Sequence, residues 1–118
     1  MGIRRLERRE WRGFCIYASR VLIGKHVEMQ VLSLQFGSQV GARRVPLFGM
    51  AYDPASDVLE LLFGDELDHL IRAPRELYVD EGSLGIVSLQ IVDSDGIRQI
   101  VTLHDPLLLA SPDNSRGR

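Results

Sequence analysis

SLQIVDSDGIRQIVTL, residues 88–103, contains two apolar runs of period two around Asp93-Ser94-Asp95-Gly96. Leu89 and Ile91 share one side of the first run, and Ile97, Val101 and Leu103 share one side of the second. Alternation at this step marks strands with one buried face. Gly96 can supply the positive φ of a bulge-type turn, so the two runs predict a β-hairpin.

Working backward, YDPASD (Tyr52 to Asp57) signals a second turn. Pro54 directly follows Asp53 between two apolar runs, as a type I turn prefers. VLELLF after it places Leu59, Leu61 and Phe63 on one face, and VPLFGMAYD before it reads as the partner strand. Pro46 argues for an edge or strand-start position. In HVEMQVLSLQF (26–36), Val27, Met29 and Val31 alternate, then Leu32, Leu34 and Phe36 take the other parity. That switch predicts a bulge near Val31–Leu32 or a strand end buried on both faces. GSQVGARR (37–44) reads as a Gly-rich connection.

The N-terminal region carries period 3.6 instead. Trp11, Phe14, Cys15, Ala18, Val21 and Leu22 fall on one helical stripe, with Gly24 as its stop. The expected fold is therefore α+β: an N-terminal amphipathic helix followed by about six mostly antiparallel strands, forming a curled sheet or small open barrel. Residues 1–109 are expected to make one compact domain, and the polar residues 110–118 a flexible tail.

Composition sets the class. The 118 residues suit one domain, and 45% hydrophobic with 25% charged residues is a globular balance. The formal charge is −2, but it is unevenly spread. Residues 1–25 hold seven basic groups against Glu7 and Glu10, and residues 51–81 hold nine acidic groups against Arg72 and Arg75. The two regions are expected to attract each other within the fold. Cys15 is the single cysteine, which excludes an internal disulfide and a cysteine metal cage, and its place on the stripe predicts a buried, slow thiol. No leader-like apolar core follows the basic start, Leu6 stands where a myristoylation signal wants Ser or Thr, and no apolar run nears the roughly 20 residues that span a bilayer. A soluble cytoplasmic protein with no membrane partner is expected.

DELDHLIRAPRELYVDEG (65–82) concentrates the chain's candidate chemistry. A general base or metal site here would use His69 with Asp80 and Glu81, joined by His104 and Asp105. Asp68 and His69 are neighbours, which in a strand point to opposite faces, so adjacency makes no dyad. No HExxH, calcium loop, paired-histidine spacing or nucleophile elbow accompanies them, and no cofactor is implied. DSDG at 93–96 lacks the distal Glu of a calcium loop. Arg72 and Arg75 instead suit ion pairs with Asp68, Glu76, Asp80 or Glu81 that pin a bend at Ala73-Pro74, or capture of an anionic ligand at Arg75. The stretch is therefore expected to be a charged, Pro-bent connection between strands.

Several unusual words occur in order: Glu10-Trp11, VPLFGMAYDP (45–54), LDHLI (67–71), PRELYVDEG (74–82) and SLQIVDSDGIRQIVTLHDPL (88–107). Through them the chain resembles a bacterial domain-of-unknown-function family, family 5335, over Leu6 to Leu109. That family carries no assigned activity, substrate, cofactor or catalytic residue, so the resemblance transfers no site; it implies a single stand-alone bacterial domain.

The residues name no reaction. The reading they favour is a small non-catalytic binding or interaction domain, self-associating or bound to another protein through an edge strand at VPLFGMAY or RELYV. An enzyme or metal- or anion-binding protein built on the His69 region is the alternative. Nucleic-acid binding through the arginine face of the first helix is disfavoured, because Glu7 and Glu10 dilute that face and the total charge is negative.

Overall fold

The computed structural model describes residues 2–33, 37–64 and 68–104, with backbone alone for 37–43. Eight strands and one helix follow in the order β1 (Gly2–Leu6), α1 (Arg8–Leu22), β2 (Lys25–Ser33), β3 (Gly37–Asp53), β4 (Val58–Phe63), β5 (Asp68–Arg72), β6 (Pro74–Gly82), β7 (Gly85–Asp93) and β8 (Arg98–Leu103). All strands belong to one antiparallel sheet of order β1-β6-β7-β8-β2-β3-β4-β5.

This corrects the expected α+β class: the fold is nearly all-β, an eight-stranded unclosed sheet with one 15-residue helix. Two strands beyond the expected six, β1 and β5, account for the miscount, β5 (Asp68–Arg72) lying in the stretch expected to be a connection, and β3 is longer than expected. β1 buries only Leu6 and is otherwise exposed, so it has no alternation to read. The Gly-rich stretch 37–44 is the first half of a 17-residue strand. Its register against β2 skips a residue of β3 twice, between Val27 and Met29 and between Met29 and Gln30. The bulges thus lie in β3, not at Val31–Leu32, and β2 pairs with β8 without interruption. Pro46 sits inside β3, opposite His26 and close to these bulges, rather than at an edge. Leu34, Phe36, Asp65, Glu66, Leu67, Asp105 and the expected tail fall outside the described residues.

Both turns form. Gly96 has φ +81 and its N–H donates to the Asp93 carbonyl, while Asp93 Oδ1 accepts the Asp95 and Ile97 N–H groups. In the other, the Asp57 N–H donates to the Asp53 carbonyl, and Asp53 carboxylate oxygens accept from Ala55 N–H and Ser56 Oγ. Asp57 takes φ +56 there.

The inward faces of the strands and the helix stripe make one core. Leu47, Leu59, Leu61, Leu77, Val79, Leu89, Ile91 and Val101 are fully buried with Trp11, Cys15, Ala18 and Leu22. Val21, expected on the stripe, is exposed. Ala73 alone joins β5, at one end of the sheet order, to β6, next to the other end. One residue spans so little that the sheet must curl until its ends approach, and Ala73 adopts φ +51 to make the corner.

The helix has a definite seat. β2 pairs with β3 only as far as Leu47, so the last six residues of β3 have no strand on that side. α1 lies there. Ser19 Oγ accepts the Met50 N–H at 2.9 Å and donates to the Met50 carbonyl at 2.8 Å, standing in for a missing strand. A Cβ built at Gly49 would meet Ser19 Oγ at an ordinary contact distance of 3.5 Å, so the approach does not depend on the glycine. No helix among the described residues is long and apolar enough to cross a membrane.

Candidate functional site

The three expected neighbourhoods separate in the fold. His69, half-buried on the inward side of β5, faces Leu61 across the β4 pairing, and burial pushes its imidazole pKa down. Asp80 and Glu81 lie on β6, opposite Ile3 and Gly2 of β1. Glu81 contacts Arg4 at 3.8 Å. No described hydrogen bond or ion pair joins His69 to either carboxylate. His104 follows β8 and lies 2.7 Å from Glu28 Oε1 on β2. Among the described residues, no three His, Cys, Asp or Glu side chains gather as metal ligands. Arg72 and Arg75 are exposed and form no ion pair with a described residue.

The Ala73-Pro74 bend is instead held by Arg8. Its guanidinium donates to the Pro74 carbonyl, to Tyr52 Oη and to Asp57 Oδ1, each at 3.1 Å. Tyr52 donates to the same Asp57 oxygen at 2.7 Å. The Ala73 N–H donates to the Asp57 carbonyl at 2.9 Å. Beneath this network the Arg8 guanidinium stacks 4.4 Å from the Trp11 ring, which meets the Tyr52 ring edge-on at 5.2 Å. Trp11 Nε1 is satisfied by the Leu6 carbonyl. Helix start, β3–β4 turn and β5–β6 corner are therefore tied at one point. Burial, then the bond to Asp57, raises the Tyr52 pKa and keeps its hydroxyl a donor.

Against this hub lies an open groove of about 670 Å³, between the first half of α1 and the β3–β4 turn. Arg8, Arg9, Arg12, Gly13 and Ile16 form one wall, and Tyr52, Pro54 and Asp57 the other. Three-residue and four-residue steps bring Arg9, Arg12, Gly13 and Ile16 to one helix face. Asp57 is the one carboxylate in the lining, and Arg8 and Tyr52 already engage it. Arg9 holds an exposed contact with Glu7 at 3.0 Å, worth little in water. Arg12 is exposed and makes no hydrogen bond or ion pair with a described residue. The groove therefore offers uncommitted positive charge beside apolar Ile16 and Pro54.

The arginine face is legible in the sequence but the groove is not, because its opposite wall lies some forty residues downstream. Gln99 sits on the inward parity of β8 between Ile97 and Val101. Gln99 is 4% exposed, and its Oε1 has no hydrogen-bond partner. Alternation alone marked that position as inward.

The expected attraction between basic and acidic regions is present as Arg8–Asp57 and Arg4–Glu81, so part of the charge asymmetry is internal pairing.

An uncharacterized protein of Aquifex aeolicus (strain VF5) is 33% identical over 109 residues, covering 92% of this chain and 98% of the relative. No solved structure matches the chain. The model of a family of unknown function, DUF5335, matches residues 2–112. With nearly its whole length matched, this chain belongs to the DUF5335 family.

Proposed function

We propose that this protein is a non-catalytic binding domain of the cytoplasm whose α1 groove takes up a carboxylate-bearing peptide segment of another protein. The observation that carries the reading is Arg12, with Arg9 beside it, exposed next to apolar Ile16 and Pro54 in a groove whose own carboxylate is already engaged. Arginine forks pair carboxylates bidentately, and Ile16 and Pro54 give a neighbouring aliphatic side chain a dry contact. The hub keeps both walls in register before a ligand arrives, which lowers the ordering cost of binding. A buried lone cysteine suits a reducing compartment.

The test is an NMR titration of labelled protein with a peptide of alternating glutamate and leucine, set against its glutamine counterpart. The expected result is saturable shifts of the Arg9, Arg12, Gly13 and Ile16 amides with the glutamate peptide alone, abolished by Arg12→Glu. Equal shifts with the glutamine peptide, or shifts confined to residues outside the groove, would overturn the reading. Stronger retention of a single-stranded oligonucleotide at the same residues would reassign the groove to phosphate.

A further inference from the structure

The edge strands foreseen from the sequence are both internal. VPLFGMAY lies in β3, paired with β4 on one side and flanked on the other by β2 up to Leu47 and by α1 beyond it, and RELYV lies in β6 between β1 and β7. The edges are β1 and β5. Among the described residues neither has a strand on its outer side, so each offers backbone groups that a further strand could use.

The two edges differ in what they would meet in a second copy. A two-fold antiparallel pairing of β1 with itself, centred on Arg4, sets Arg4 against the same arginine, a like-charge contact that opposes pairing. For β5 the outcome reverses. Its outward residues are Asp68, Leu70 and Arg72, and its inward ones His69 and Ile71. An antiparallel two-fold pairing centred on Leu70 sets Asp68 opposite Arg72 of the partner subunit and Leu70 opposite the partner's Leu70. Two opposite-charge pairs then flank one apolar contact on the same face. Leu70 is 46% exposed in the single chain. Arg72 has no described ion-pair partner within its own chain, although Val58 lies beside it on β4.

Glu60, opposite Leu70 on β4, has a raised pKa, first from desolvation and then from the neighbouring Asp68 carboxylate. The arriving guanidinium would meet two crowded carboxylates and relieve their repulsion.

We infer that β5 is a self-complementary edge through which two copies of this chain join by antiparallel β5–β5 pairing, extending the sheet across the dimer. Such a contact is isologous and closes on itself, whereas β1 laid on β5 of a second copy would propagate without closure. The inference stands on strand order and side-chain register and does not depend on the α1 groove. A five-residue strand pair covers much less than the roughly 1,600 Å² of a standard interface, so the dimer is concentration-dependent.

Sedimentation velocity over a concentration series tests it with three proteins: the wild type, Asp68→Arg and Arg72→Asp. Reversible dimerisation of the wild type is expected, with dimer dissociation constants raised about ten-fold or more in each variant, since each sets like charges opposite. An equimolar mixture of the two variants must recover dimer, because every position across the axis then pairs opposite charges. That recovery also shows that the variants are folded. A wild type that stays monomeric at about millimolar concentration would overturn the inference. So would single variants that dimerise like the wild type, or a mixture that stays monomeric.

Discussion

Arg8 is one side chain with four partners, and three of them lie far along the chain. Its hydrogen bonds reach across 44, 49 and 66 residues to Tyr52, Asp57 and Pro74. Nothing local in RREW announces this, because pattern reading sees only neighbours a few positions apart. The side chain is half exposed, so its ion pair with Asp57 is screened and contributes little by itself. Most of its value lies in satisfying the Pro74 carbonyl and the Tyr52 hydroxyl at a corner where Ala73 and Asp57 are both held at positive φ. Replacing Arg8 by Met keeps an apolar stem over Trp11 but removes the donors. It is expected to cost about 1–2 kcal/mol, seen as a lower urea midpoint at unchanged slope. Gln99 is the opposite case: the alternation of Ile97, Val101 and Leu103 places it inward although its side chain is polar.

Hairpins were the legible elements. In YDPASD and DSDG the turn chemistry and the flanking alternation occupy one short window, and local preference suffices to build them. β1 and the first half of β3 were not legible. β1 is held by pairing with β6, and the Gly-rich half of β3 by pairing with β2, so in both the backbone ladder outweighs a weak side-chain pattern. The helix was readable from its stripe, but its seat was not. Ser19 looks like an ordinary polar helix residue, yet it satisfies both backbone groups of Met50 where β2 has ended. Ser19→Ala leaves those groups without their partner at a half-buried position and is expected to destabilise the protein by about 1–3 kcal/mol. The same variant should raise amide exchange at Met50 more than at Val101 in the middle of the sheet, which separates a local loss from a global one.

At the scale of the molecule, strand order gathers one core from nearly the whole described chain, and Cys15 reports on it. The thiol is fully buried, and desolvation pushes its pKa up to about 12. It is expected to remain unmodified by a disulfide reagent in native buffer and to react with one equivalent per chain after denaturation, its native rate following the population of opened protein. Rapid native labelling would show that the helix lifts from β3 without unfolding of the sheet.

By itself the sequence determined the hairpins, the helix stripe, the inward residues of most strands and the burial of Cys15. Each depends on interactions within a few residues or on a fixed period. Tertiary structure alone decided the number of strands, which strands became edges, where the helix docked and which arginines were left uncommitted. Those outcomes depend on contacts tens of residues apart, whose partners are chosen by the packing of the whole sheet. Asp65–Gly82 shows the division. Its charge density and Pro-marked bend were visible in the residues, whereas its split into an edge strand with a self-complementary face and an internal strand came only from the curl that brought the sheet's two ends together.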